Sequence, residues 1–102
     1  MNWLHYVACF FAGLFFGNTI PHLVKGVCGD RFPTPFAKPP GKGLSSPVVN
    51  VVWALANLLV AYALFRAGNL AVGNTPALAI FFAGFALISI QMGSHFSHKH
   101  AA

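Results

Sequence analysis

The chain has 102 residues, 57% of them hydrophobic and only 7% charged, where a soluble domain carries roughly 25% charged residues. Six Lys and Arg stand against one acid, Asp30, for a formal charge of +5. The composition excludes an ordinary water-soluble domain, and a lone carboxylate excludes paired-carboxylate acid–base chemistry within one subunit. The few cations border apolar runs, so they suit an anionic lipid surface and not the broad basic face that nucleic acid requires.

The first apolar run starts near Trp3 and meets no formal charge before Lys25, long enough to cross a hydrocarbon core of ~30 Å. No Lys or Arg precedes it and no A-x-A site follows, so it reads as a retained transmembrane helix and not a signal peptide. Trp3, His5 and Tyr6 suit the headgroup layer at its start. Pro21 removes a backbone donor and frees the carbonyl of Gly17, which predicts a kink near Gly17–Pro21, with Asn18 or Thr19 bonding the freed group. Gly13 and Gly17 form a G-x-x-x-G pair for close helix approach. His22 follows the kink. An ionisable residue within a span is a functional candidate, but near a helix end it can also reach out to the interface.

Residues 29–46 separate the first two spans. Pro33, Pro35, Pro39 and Pro40 forbid a helix and predict an extended, polyproline-like segment, with Phe32 and Phe36 as apolar contacts. Lys42, Ser45 and Ser46 then converge on a helix start, where free N–H groups and the helix dipole favour an anion such as a lipid phosphate. The same residues also describe an ordinary capped helix behind a basic loop.

The second span opens with Ser46 as N-cap and Pro47 at the first helical position, and runs to Arg66 with Gly68 as C-cap. Asn50 and Asn57 are seven residues apart and share a face with Ala54 and Ala61, flanked by Trp53. Such a face suits helix packing. Together, Asn18, His22, Asn50 and Asn57 also suit a polar lining for a bound molecule or a pore. The third span opens on Thr75 and Pro76 and runs to Gly93, with Ala79 and Ala83 as a weaker small-residue pair; the short link before it predicts an antiparallel pair of helices. His95, His98 and His100 in the tail offer imidazoles to zinc or copper. No nearby Cys or carboxylate completes a closed site, so adventitious binding or none is expected there and no cofactor is assigned. Cys9 and Cys28 read as free thiols, since they lie ~28 Å apart along a helix.

The wording G-N-T-I-P-H at 17–22, F-P-T-P-F-A-K-P-P-G-K-G-L-S-S at 32–46 and V-N-V-V-W at 49–53 resembles a group of small, uncharacterised bacterial membrane proteins. The likeness covers over a third of the chain. It implies a bacterial inner-membrane protein and brings no activity with it.

These readings predict an all-α integral membrane protein of three transmembrane helices, at about 3–28, 47–66 and 76–93, in one membrane domain with a His-rich tail at 94–102. Lys25, Arg31, Lys38, Lys42 and Lys99 fall on one side and Arg66 on the other. That bias places the N-terminus outside, and the loop and C-terminus in the cytoplasm. The expected role is non-enzymatic: an accessory or scaffold subunit assembling with itself or a larger membrane complex, among anionic lipids. The alternatives are a small oligomeric transporter or channel lined by His22, Asn50 and Asn57, or an anionic-lipid- or metal-binding membrane protein.

Overall fold

The computed structural model describes residues 3–39, 43–68 and 75–97. Three helices dominate it: α1 (Trp3–Val27), α2 (Pro47–Ala67) and α3 (Thr75–Ser97). Each is long and apolar enough to cross a membrane. At 1.5 Å per residue even the shortest reaches about 31 Å. The protein is therefore all-α and multi-pass, as the apolar runs predict.

Local chemistry sets the helix ends. α1 is continuous across Pro21 and stops at Gly29, whose φ of 79° is open to glycine at little cost. The Gly29 N–H bonds the Gly26 carbonyl and the Asp30 N–H bonds the Lys25 carbonyl, at 3.0 and 2.9 Å. That pair of bonds is a Schellman stop. Ser46 caps α2 as expected, its Oγ accepting from the Val49 N–H at 3.2 Å with Pro47 behind it. Gly68 closes α2 in a right-handed conformation, φ −81° and ψ −2°. Its lack of a side chain serves packing instead: a Cβ there would strike Cys9 Sγ and the His5 carbonyl of α1. The Cys9 thiol donates to the Gly68 carbonyl at 3.5 Å. Both cysteines are free, Cys9 buried and Cys28 exposed.

α1 lies in the middle. α2 and α3 each pack along it and hardly touch each other, so the short α2–α3 link does not make them packing partners. Small residues set both contacts. A Cβ on Gly13 would overlap the Phe81 carbonyl, one on Gly17 would meet Ile88, and one on Gly84 would overlap the Phe10 carbonyl. Gly13 and Gly17 thus serve α3, as their spacing suggests. On α3 the buried small positions are Ala77 and Gly84, whereas Ala79 and Ala83 are exposed. The expected pair sits on the wrong face because the helix is oriented by its Phe81, Phe85 and Ile88 contacts with α1. Toward α2, a Cβ on Gly26 would meet Val51 and the Pro47 carbonyl. The α2 face turned inward is Asn50, Ala54, Asn57 and Ala61, the same four residues picked out by their spacing.

The Pro-rich segment is not extended throughout. β1 (Phe32–Pro33) pairs antiparallel with β2 (Leu44–Ser45), matching Phe32 to Ser45 and Pro33 to Leu44. Between them the chain turns at Thr34, whose Oγ1 accepts from the Phe36 N–H at 3.2 Å while its carbonyl accepts from the Ala37 N–H at 3.2 Å. Prolines forbid helix but do not forbid turns, and the threonine hydroxyl supplies the local bond that closes one. α3 also runs on to Ser97, past the expected end at Gly93, and this carries Phe96 back over the loop. Its ring meets Phe32 at 4.8 Å between centroids.

Candidate functional site

The site lies where the folded loop meets α1 and α2. Asn50 is at its centre and has no exposed surface. Its Nδ2 donates to the carbonyls of Phe32, Ser45 and Ser46, at 3.0, 3.2 and 3.0 Å. One amide thus reaches both strands of the loop and the start of its own helix. Three acceptors around the nitrogen fix the amide's orientation, so Oδ1 must act as an acceptor. It faces His22 Nδ1 at 2.8 Å, and the imidazole therefore carries its proton on Nδ1. His22 is 3% exposed, so it does not reach out to the interface. Its ring stands edge-on to Phe32 at 5.3 Å.

A second relay runs in the same manner about two helical turns along α2. Asn57 Nδ2 donates to the Trp53 carbonyl at 2.8 Å, and its Oδ1 accepts from Asn18 Nδ2 at 2.9 Å. Asn18 is thus tied across the α1–α2 contact. Thr19 turns back to the Phe15 carbonyl at 3.0 Å. Neither residue bonds the Gly17 carbonyl that Pro21 leaves free, contrary to the sequence expectation. Asn18 has a stronger competitor for its donor in Asn57, and the Thr19 hydroxyl reaches its own preceding turn. All four polar span residues named from sequence are brought together, as two pairs: His22 with Asn50, and Asn18 with Asn57. A double-mutant cycle on Asn18→Leu and Asn57→Leu is expected to give a coupling of about 0.6 kcal/mol, the usual size for a hydrogen bond between membrane helices. Unfolding in mixed detergent–SDS micelles measures it.

The expected anion site is divided. The Ser46 hydroxyl caps α2. The Ser45 side chain is buried and bonded to the Thr34 hydroxyl, because strand pairing turns it toward the loop and away from the helix start. Lys42 lies outside the described residues. Of the proposed metal ligands, His95 is on the last turn of α3 beside Phe96, ring centroids 4.9 Å apart. His98 and His100 also lie outside the described residues. Among the described residues no group of three His, Cys, Asp or Glu side chains gathers.

Sequence reasoning missed Thr34, which is 1% exposed. It also missed Phe96, which had been placed in a tail. Thr34 lies in a stretch whose prolines dominate the reading, and nothing in its immediate spacing marks it as buried. Phe36, by contrast, is 64% exposed and stands edge-on to Trp53 at 5.1 Å, an aromatic tip on the outside of the loop. No family model, no curated protein and no solved structure matches the chain.

Proposed function

We propose that the chain is a non-enzymatic accessory or scaffold subunit of the bacterial inner membrane, assembling with itself or with a larger membrane complex. The observation that carries this reading is the locked loop. Asn50 joins both loop strands to α2 and, through His22, to α1. A loop held in one shape, with a cationic edge and an exposed Phe36, offers a preorganised surface to a partner. The bias of Lys and Arg places that surface in the cytoplasm, with the N-terminus outside. Anionic lipids complement the same edge. The channel reading has less support, because the polar groups of Asn50 and Asn57 are engaged in holding helices and loop together, while a pore needs them free for its contents.

The test is the mass of the protein extracted directly from its native membrane into polymer-bounded discs. A species at a fixed multiple of 10.9 kDa, or in fixed stoichiometry with other chains, is the expected result. A monodisperse single copy with no companion would end the scaffold reading. Loss of assembly in a Gly13 or Asn57 variant would not be informative by itself, since both residues serve packing within one copy.

A further inference from the structure

Beside the two relays lies a cavity of about 150 Å³, bordered among others by Asn18, His22, Trp53, Gln91 and Phe96. A cavity of this size accommodates one six-membered ring. Two of its groups have their hydrogen-bonding roles set in advance. The carbonyls around Asn50 orient its amide, Asn50 Oδ1 holds the His22 proton on Nδ1, and Nε2 is left with a lone pair. Likewise the Trp53 carbonyl orients Asn57, Asn57 Oδ1 accepts from Asn18 Nδ2, and Asn18 Oδ1 is left as an acceptor. Among the described residues nothing bonds His22 Nε2 or Asn18 Oδ1, and His22 is buried to more than nine-tenths. Two acceptors without a negative charge select a neutral donor. The rings of Trp53 and Phe96 provide aromatic walls.

We propose that this cavity binds a phenolic ring whose hydroxyl donates its one proton to His22 Nε2, beside the acceptor Asn18 Oδ1. Two sources share that chemistry: a free phenol, and the hydroquinone head of a membrane lipid. The tail of the second would lie in the neighbouring apolar groove of about 470 Å³ along α1 and α3, whose lining also includes Met92 and Phe96. This inference is independent of the scaffold reading, since its measurement does not depend on assembly.

The experiment uses full-length protein in nanodiscs, with the other four histidines replaced by Gln and His22 labelled with ¹⁵N. Nitrogen NMR of the ring reads Nε2 directly. In the free protein Nε2 resonates as an unprotonated imine nitrogen. Adding phenol or 4-decylphenol moves that resonance, and adding 4-decylanisole, which lacks the O–H, does not. A tighter response to 4-decylphenol assigns the lipid source, and an equal response assigns the free phenol. The Gln91→Trp variant enlarges an exposed side chain of the cavity lining, touches neither relay and weakens the response by at least about tenfold. A protonated Nε2 in the free protein, no response to either phenol, an equal response to the anisole, or an unchanged response in Gln91→Trp would each overturn the proposal.

Discussion

Replacing Asn50 with leucine is expected to release the Pro-rich loop while leaving the three helices in the membrane. The substitution removes the side-chain donor from the carbonyls of Phe32 and Ser45, which keep their β1–β2 pairing, and leaves His22 Nδ1 without its acceptor. The Ser46 carbonyl keeps the backbone Asn50 N–H, at 3.0 Å. A buried polar group left without a partner costs about 1–3 kcal/mol. With His22 Nδ1 the one group orphaned and the side-chain bonds to the loop lost as well, a net destabilisation of about 2 kcal/mol follows. Trypsin reports the event. Arg31 is exposed, but Phe32 after it is 5% exposed and paired in β1, so the Arg31–Phe32 bond is protected in the native protein. Asn50→Leu is expected to open it to cleavage at least tenfold faster, about what 1.4 kcal/mol of lost protection allows. Asn57→Leu breaks only the second relay and is expected to leave that bond protected. Equal protection in both variants would show that Asn50 does not hold the loop.

The second large effect is at Gly84. A side chain there meets the Phe10 carbonyl and the Leu14 backbone nitrogen of α1. Backbone cannot swing aside as a side chain can, so the two helices must separate. Gly84→Leu is expected to destabilise the fold by about 3 kcal/mol or more in SDS titration, the upper end of overpacking. Gly93 lies on the same helix, and a Cβ there meets nothing. Gly93→Leu is therefore expected to change stability by no more than about 0.5 kcal/mol. If the two variants unfold together, α3 does not pack against α1 through Gly84.

Several particulars of this site could be read from the chain alone. The spacing of Asn50, Ala54, Asn57 and Ala61 identified the buried face of α2, because a helix places positions seven apart on one side whatever surrounds it. Ser46 and Pro47 marked the helix start through local hydrogen bonding. Gly13 and Gly17 marked a close approach. Ala79 and Ala83 misled, since a spacing of four identifies a face but not the neighbour it meets. Gly84, with Ala77 seven residues before it, was the pair that counted.

What the sequence determined by itself is therefore whatever depends on composition and on the nearest turn of chain: three apolar helices, their starts, the absence of helix among the described residues of the Pro-rich segment and the shared face of Asn50 and Asn57. Tertiary structure decided which groups those faces meet. It placed α1 between α2 and α3, folded the loop back on itself through Thr34, and carried Phe96 to Phe32. It also paired His22 with Asn50 across 28 positions and Asn18 with Asn57 across 39. The physical reason is that a polar side chain in an apolar medium needs a partner, and any of several could serve. Which one does depends on where the helices cross, and that is set by glycines whose neighbours lie far away in the chain.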